Sequence, residues 1–356
     1  MSAKKNQPDS ILFLLPGKDK NNKYFELFEK SMSEFSHKVQ FNNSYMDLLS
    51  LVRARGYVDY KNKTLVIFWS TILYGSAYSL RSLYLLVRNA CLLLYLKEFY
   101  QFKISWIINN NYAHDYPHPV IDRLGRWMLS KFTSRFVVQQ KSTEKVFVEK
   151  YPSKRIIFSP HPNYIDAYGP AILKDTDELR KSFGYQKDDL ILASFGAIRP
   201  YKKLENIIRA FLEASKTHPR LKLLIAGKGN EQYVTHLQKI SSGNQNIRIL
   251  NQYIADVDIP NYLAIADYSI FYFDGSELTS GAVMLSLSYG VPVICRNIPA
   301  AEVVIATDTG FTFTTDVEFV RLLAGLCVFN RKSTQEIIDE VSSLTWSKNA
   351  QKMLFP

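Results

Sequence analysis

The chain has 356 residues, 47% of them apolar, and its formal net charge at pH 7 is +11. This length and apolar content are sufficient for two domains of ordinary size, each with its own core. Three cysteines, Cys91, Cys295 and Cys327, stand far apart, which excludes a cysteine metal motif and predicts reduced thiols in a cytoplasmic protein.

The amino-terminal region predicts a buried strand and no secretory signal. Basic residues occur in the first ten positions, but only the apolar run 11–15 precedes Pro16 and Gly17, which is too short for a signal peptide. The richest apolar region, 65–96, is interrupted by Arg81 and Arg88 and by several serines. It is therefore not predicted to span a membrane.

The positive charge is concentrated in the first half of the chain. Residues 1–165 hold 24 Lys and Arg against 12 Asp and Glu, whereas residues 166–356 hold 20 against 21. Around one apolar helix stand Arg81, Tyr84, Arg88, Tyr95 and Lys97. This pattern fits a surface that meets anionic lipid or a lipid-diphosphate acceptor, and it fits equally a solvated cationic face over a core helix. No recognition motif for nucleic acid accompanies it.

Strand-like and helix-like segments alternate along the whole chain, which predicts an α/β protein with parallel sheets covered by helices on both faces. Strands are expected at 11–15, 64–69, 103–108, 135–138 and 155–158, then at 190–196, 221–226, 247–250, 268–272, 291–295 and 310–313. Helices are expected at 24–35, 77–98, 118–132 and 142–150, and between the later strands. The predicted domains are 1–165 and 166–333, and a segment from 334 to 356 is expected to pack back on the first.

The loop between the strand 190–196 and the following helix predicts a phosphate site. Arg199 and Lys202 lie in this loop, just before apolar residues resume helical spacing from Leu204. The first N–H groups of a helix and two nearby cations can hold a diphosphate. The alternative is a loop whose charges are simply solvated.

Four ordered segments resemble glycosyltransferase family 4, whose members have two Rossmann-like domains facing across a cleft (the GT-B fold), and in particular its bacterial polysaccharide-biosynthesis branch. These segments are 195–203 (FGAIRPYKK), 223–230 (LLIAGKGN), 259–267 (IPNYLAIAD) and 277–294 (ELTSGAVMLSLSYGVPVI). The resemblance covers most of residues 190–314. It implies that the chemistry lies in the cleft between the domains, at the carboxyl ends of their strands.

The resemblance assigns roles to residues of the second half. Arg199 and Lys202 would stabilise the leaving diphosphate, and Thr279, Ser280 and Gly281 would add N–H donors at the start of a helix. Glu277 would contact the donor sugar, the alternative being a helix cap. Gly227 stands at a strand end near the expected nucleotide base.

One position departs from the family pattern. The second glutamate of the family's paired motif falls at Leu285, which is apolar. Either the ribose is held by other groups, or the chain belongs to a branch with Thr-Ser-Gly as its core, or activity has decayed. The intact Gly290-Val-Pro-Val sequence favours the branch variant.

The first half offers a second set of candidates, again by resemblance. Asn109 stands where many relatives have a histidine, and His114 with Asp115 matches a second histidine followed by an acid. His114 would bond a hydroxyl of the donor sugar or the acceptor, and Asp115 would hold its tautomer or act as a general base. Gly17 resembles the family's glycine loop, although a plain turn fits nearly as well.

The segment His161-Pro-Asn-Tyr164, at the predicted domain junction, resembles a segment that relatives have at this place in the cleft, and a structural hinge is the favoured alternative. The resemblance implies a retaining transferase that moves a hexose from a UDP- or GDP-sugar to a lipid-linked saccharide in exopolysaccharide, capsule or O-antigen synthesis. No metal or other cofactor is expected, because fixed cations take that role. The expected location is cytoplasmic, at the inner face of the membrane. A sugar-nucleotide 2-epimerase and a degenerate binding subunit of a transferase complex are the alternatives.

Overall fold

A computed structural model describes residues 10–16, 22–35, 38–54, 60–75, 80–113, 118–170, 175–326 and 332–354. The chain divides into two compact units, one containing residues 1–160 and 345–356 and the other residues 161–344. Each unit contains one parallel six-stranded sheet with helices in the connections. The predicted α/β class with two Rossmann-like sheets is confirmed.

The first unit has its strands in the order β2-β1-β3-β4-β5-β6, and every pair is parallel. The strands are β1 (Ser10–Leu15), β2 (Lys38–Phe41), β3 (Asn62–Ile67), β4 (Lys103–Ile108), β5 (Arg135–Val138) and β6 (Arg155–Phe158). The helices are α1 (Lys23–Glu34), α2 (Tyr45–Ala54), α3 (Leu80–Tyr100), α4 (Pro119–Phe132) and α5 (Lys141–Lys150).

The second unit has the strand order β12-β11-β10-β7-β8-β9, again all parallel. Its strands are β7 (Leu190–Phe195), β8 (Leu221–Gly227), β9 (Ile247–Asn251), β10 (Tyr268–Phe271), β11 (Val293–Arg296) and β12 (Gly310–Phe313). Its helices are α6 (Thr176–Ser182), α7 (Leu204–Ala214), α8 (Glu231–Ile240), α9 (Ile259–Ala264), α10 (Gly281–Ser288), α11 (Glu302–Thr307), α12 (Asp316–Gly325) and α13 (Thr334–Ser342).

The segment from Thr334 onward is divided between the two units. Helix α13 lies in the second unit, whereas a final helix, α14 (Trp346–Leu354), lies in the first. The ring of Trp346 meets the ring of Tyr24 edge-on at 5.0 Å between centroids. The side-chain amide of Asn349 donates to the Ser159 hydroxyl at 2.8 Å and to the Pro160 carbonyl at 2.9 Å.

Burial on both faces explains why the strands are nearly continuous apolar runs. In β1 the residues 11–15 are all buried, and in β7 the same is true of 191–195. A sheet with helices on both faces requires this pattern. In the first unit, Phe25 and Phe28 of α1 pack in one core with Leu14 and Phe68.

Among the described elements, β2, α2 and α6 were not predicted from the sequence. Strand β2 is a four-residue edge strand with no fully buried side chain, so it lacks the apolar run that marked the other strands. Helix α2 follows it directly, where the hydroxyl of Ser44 accepts a hydrogen bond from the Asp47 N–H at 3.1 Å. Among the described residues, no helix is both long and apolar enough to cross a membrane.

Candidate functional site

The order of strands in the second sheet defines where a ligand is expected. Strand β7 lies between β10 and β8, and the chain passes from β7 to β8 through α7. From β10 the chain instead passes to β11, on the other side of the β7 and β10 pair, so the connections after these two neighbouring strands run in opposite directions along the sheet. In open α/β sheets, ligands bind outside the carboxyl ends of strands at such a switch point. The loops 196–203 and 272–280 begin there.

The loop after β7 has a sharply turned backbone that holds Lys202 close to the strand end. Gly196 has a φ of +92° and Lys203 a φ of +50°, on either side of a short 3₁₀ turn, Pro200–Lys202. Lys202 is buried, and its Nζ atom donates to the Phe195 carbonyl at 3.3 Å. Arg199 is exposed in the same loop. The two cations predicted to bind a diphosphate therefore lie in the loop at the carboxyl end of the same strand, β7.

The charge balance around Lys202 links both loops. Burial lowers the pKa of the Lys202 ammonium to about 8, the carboxylate of Glu277 opposes this change, and the Arg199 guanidinium adds to it. The charges of Arg199 and Glu277 therefore both act on the buried ammonium of Lys202. All three are residues that sequence reasoning selected.

The loop after β10 contacts the loop after β7 and leads into α10. The ring of Phe273, a residue with a φ of +48°, stacks on the ring of Tyr201 with 6.4 Å between centroids and an interplanar angle of 8°. Further along the loop, Thr279 is buried and its hydroxyl makes no hydrogen bond within the described part of the protein. The hydroxyl of Ser280 accepts from the Val283 N–H at 3.3 Å and so caps α10.

Two side chains next to the start of α10 belong to the segment 161–164, for which a hinge was the favoured interpretation from the sequence. A Cβ atom at Gly281 would lie 3.3 Å from the Tyr164 hydroxyl and 3.7 Å from Nε2 of His161. His161 is buried, which lowers its pKa to about 4, and Nδ1 lies 2.8 Å from the Pro162 carbonyl. Nδ1 is therefore the protonated nitrogen of a neutral ring, and Nε2 is an acceptor. The sequence signal that could have assigned these two side chains to the site is that their segment directly follows a strand, β6.

Close packing requires a glycine at position 227, which the sequence did not reveal. Its φ is +156°, and a Cβ atom there would lie 2.0 Å from the carbonyl oxygen of Gly196. The two chains run together beyond their strands, since the Ile198 N–H donates to the Lys228 carbonyl at 3.0 Å. Glycine at 227 allows β8 to approach the loop that carries Arg199 and Lys202, and direct contact with a donor remains a prediction.

Leu285, which replaces the second glutamate of the family pattern, is buried in α10. The neighbouring hydroxyl of Ser286 is directed to the helix backbone, where it donates to the Ala282 carbonyl at 3.0 Å. Neither residue therefore presents a carboxylate. A ribose would have to be held by other groups in the second unit.

In the first unit the structure describes one of the four predicted residues. Asn109 follows β4, and its side-chain amide donates to the Phe68 carbonyl, after β3, at 3.3 Å. Its position at the carboxyl ends of neighbouring strands agrees with the expected edge of the sheet. Gly17, His114 and Asp115 lie outside the described residues.

A buried polar network that the sequence analysis missed fixes the segment after Asn109. Arg126 of α4 donates from Nη1 to the Asn110 carbonyl and from Nη2 to Asn110 Oδ1, both at 3.0 Å. Its Nε donates to Asp122 at 3.0 Å, and Asp122 also accepts from the Tyr74 hydroxyl. Burial and the hydrogen bond to Asp122 raise the pKa of Tyr74. The four-residue spacing of Asp122 and Arg126 was the signal for this network.

Within the described ranges, no three His, Cys, Asp or Glu side chains converge as the ligands of a metal ion would. The expectation of a transfer without metal stays a prediction. The fixed charges that the site offers are those of Arg199, Lys202 and Glu277, the first and last of which act on the Lys202 ammonium.

Comparison with known proteins shows that most of the second unit is similar in sequence to a family of glycosyltransferases. The family model described as Glycosyl transferases group 1 matches residues 175–325. A curated relative, chitobiosyldiphosphodolichol beta-mannosyltransferase of Kluyveromyces lactis, is 25% identical over 227 residues, which cover 55% of this chain and 49% of the relative. The matched region thus spans about half of the relative's length.

Solved structures resemble the chain over nearly its whole length. HepE of Anabaena, solved in complex with UDP and glucose, has a TM-score of 0.70 at 13% identity, covering 97% of this chain and 98% of that one. Sucrose-phosphate synthase from Thermosynechococcus elongatus has a TM-score of 0.71 at 13% identity, covering 97% of each chain. These similarities show the same fold.

Proposed function

We propose that the protein is a glycosyltransferase that moves a hexose from a nucleoside-diphosphate sugar, such as a UDP- or GDP-sugar, to a lipid-linked saccharide. The observation that carries the proposal is that the charges of Arg199 and Glu277 both act on the buried ammonium of Lys202, in two loops that contact each other, the second of which leads into α10. Two cations and a helix N-terminus match the charge of a diphosphate, and one carboxylate matches the hydroxyls of a sugar.

Each group has a role in the proposed transfer. As the bond between the sugar and the diphosphate breaks, negative charge grows on the leaving phosphate, and Arg199 and Lys202 stabilise it. The N–H groups at Ser280 and Gly281 and the hydroxyl of Thr279 add hydrogen bonds to the phosphate oxygens. Glu277 accepts hydrogen bonds from the sugar. Because these cations are built into the chain, the proposal needs no metal or other cofactor.

The acceptor side of the proposal is supported less directly. The name of the curated relative specifies a diphosphodolichol compound, which is a lipid-linked saccharide, and the first unit is the basic half of this chain. We place the reaction in bacterial exopolysaccharide, capsule or O-antigen synthesis, at the cytoplasmic face of the membrane. By the resemblance, His114 would bond a donor or acceptor hydroxyl, and Asn109 and Gly17 would contribute to donor binding. Transfer with retention leaves Asp115 to orient His114, whereas inversion would use Asp115 as the general base.

The first test is nucleotide binding by the whole chain. The melting temperature is measured with UDP, GDP, ADP, CMP and dTDP for the wild type, for Arg199→Ala and for the control Arg209→Ala, which removes an exposed arginine from α7. One nucleotide should raise the melting temperature of the wild type and of the control but not of Arg199→Ala. A nucleotide that stabilises all three proteins equally would place the diphosphate elsewhere.

The second test is turnover. Purified protein is incubated with the donor sugar of the nucleotide selected above and with a lipid-linked saccharide, and the product's anomeric configuration is read by NMR. Transfer to the lipid supports the proposal, and the configuration decides between retention and inversion. Conversion of the donor to its epimer without an acceptor would instead identify a sugar-nucleotide 2-epimerase.

A second candidate function, a degenerate subunit that binds nucleotide or a partner transferase without turnover, is favoured by Leu285. This residue puts a buried apolar side chain where the family pattern has a carboxylate. Binding of a nucleotide with no transfer to any acceptor would support this function. Arg199, Lys202 and Glu277 are all present, which favours the active enzyme.

A further inference from the structure

Helix α3 has apolar side chains on the side that faces away from its own core. Its inner side buries Leu86, Leu93 and Leu96. Along the outer side, at alternating spacings of four and three, stand Leu80, Tyr84, Val87, Cys91 and Leu94, and all are exposed. A surface helix of a globular protein normally has polar residues along such a stripe, so these exposed apolar residues indicate an interaction surface.

The neighbouring helix α4 has a second stripe of the same kind. Val120 is 75% exposed, Leu124 38% and Trp127 57%, again at spacings of four and three. The two helices follow successive strands, β3 and β4, through right-handed crossovers in one direction along the sheet, so they lie on the same side of it. They pack directly, since a Cβ atom at Gly125 would lie 3.6 Å from the side chain of Leu86. We call the two stripes together the outer α3–α4 face.

Cations accompany the aromatic side chains of this face. The Arg88 guanidinium lies 5.9 Å from the ring centroid of Tyr84, and the Lys131 ammonium lies 5.5 Å from that of Trp127. Arg81 and Arg123 are exposed beside the stripes. The two helices hold six Lys and Arg against two acids, and one of those acids, Asp122, is buried against Arg126. The face is therefore apolar and strongly positive.

We propose that the outer α3–α4 face docks on an anionic lipid bilayer. Apolar residues with Tyr and Trp, flanked by arginine and lysine, suit the boundary between lipid tails and negatively charged headgroups. A second copy of the chain would bring two positive faces together, which like-charge repulsion disfavours. The inference deepens the proposed function, because a docked enzyme meets a lipid-linked acceptor at the surface where that acceptor resides.

The test uses the full chain, without nucleotide, and vesicles of phosphatidylcholine with or without phosphatidylglycerol. Wild-type protein should float with the anionic vesicles, and binding should weaken with salt. Val87→Ser with Trp127→Ser should bind roughly tenfold more weakly or worse. The matched control, Val317→Ser with Tyr253→Ser, removes side chains of similar exposure from the second unit and should bind as the wild type.

The charge contribution is tested separately. Arg81→Gln with Arg123→Gln should weaken binding to anionic vesicles roughly tenfold or more, since each cation near such a surface contributes about fivefold. Arg209→Gln with Lys239→Gln, exposed cations of the second unit, should leave binding unchanged. Brominated lipid should quench the fluorescence of the wild type but much less that of Trp127→Phe, because Trp127 is the exposed tryptophan among the four.

Several outcomes would overturn the docking proposal. One is the absence of wild-type binding to either vesicle, and another is equal binding by Val87→Ser with Trp127→Ser. A wild-type dimer that this double variant converts to a monomer would assign the face to a second copy instead. The nucleotide-induced rise in melting temperature, measured without vesicles, should be the same for this variant and the wild type, so failure of docking and failure of the proposed function are distinguished.

Discussion

The Nζ atom of Lys202 donates a hydrogen bond to the carbonyl oxygen of Phe195 at 3.3 Å, which holds a buried ammonium group at the carboxyl end of β7. Its pKa falls from 10.5 to about 8, chiefly because burial disfavours the charged form. A lysine with a lowered pKa in the folded state reduces stability wherever the unfolded chain keeps its proton more readily. A phosphate bound beside Lys202 would stabilise the charged ammonium and so offset this loss of stability.

Lys202→Met should stabilise the free protein and abolish nucleotide binding. At about pH 7 the unfolding free energy should rise by about 1 to 3 kcal/mol, because the apolar side chain has no charge to desolvate. This gain should shrink between about pH 8 and pH 10.5, because in this interval Lys202 is deprotonated in the folded wild type but still protonated in the unfolded chain, so the stability of the wild type rises with pH. Urea unfolding at several pH values measures the effect. A destabilised variant that still binds UDP would contradict the assigned role.

Thr279→Val should also separate stability from binding. The buried hydroxyl of Thr279 has no hydrogen-bond partner in the described protein, so its removal should raise the unfolding free energy by about 1 kcal/mol. The nucleotide-induced rise in melting temperature should fall, because a hydrogen bond to phosphate is lost.

Ser269→Ala is the matched control for that change. Ser269 is likewise buried without a hydroxyl partner in the described protein, but it lies within β10. The variant should be stabilised to a similar degree and keep the full response to nucleotide. Equal loss of the response in both variants would remove the phosphate role from Thr279.

His161→Gln should make stability less sensitive to acid. Burial lowers the pKa of His161 from 6.5 to about 4, so the unfolded chain binds a proton that the folded one does not in this interval. Stability from this group is complete above about pH 6.5 and is lost as the pH falls towards 4. Between about pH 7 and pH 5 the wild type should lose about 2 kcal/mol more than His161→Gln. His236→Gln, an exposed histidine of α8, should behave as the wild type.

Gly227→Ala should prevent the second unit from folding normally. The new Cβ atom would lie 2.0 Å from the Gly196 carbonyl oxygen, a distance that neither backbone can accept, so a loss of about 3 kcal/mol or more is expected. Gly243→Ala is the control, since its φ of +68° is strained for alanine but no atom lies within 4 Å. It should lose only about 1 kcal/mol. Urea unfolding and limited proteolysis compare the two variants, and equal losses would contradict the packing role.

The sequence by itself determined the parallel sheets and most of their elements. The central strands are buried on both faces, so strands such as 103–108 and 190–195 are apolar runs that can be recognised without the fold. The exposed edge strand β2 lacks such a run and could not be recognised in the same way. Arg199, Lys202 and Glu277 were selected from loops that follow strands, and the shared electrostatics of these residues became visible only when those loops were placed side by side.

Only the tertiary structure decided which distant residues meet. His161 and Tyr164 are more than a hundred positions before Gly281, and nothing in their local sequence specifies that they lie beside it. The sequence did not show that Gly227 lies against the Gly196 carbonyl, where a side chain at position 227 would be. The sequence of α3 did not show which of its apolar residues are buried, and only the structure showed that Leu86 and Leu93 face the core while Val87 is exposed. Local sequence fixes periodicity, whereas contacts between elements depend on how the whole chain packs.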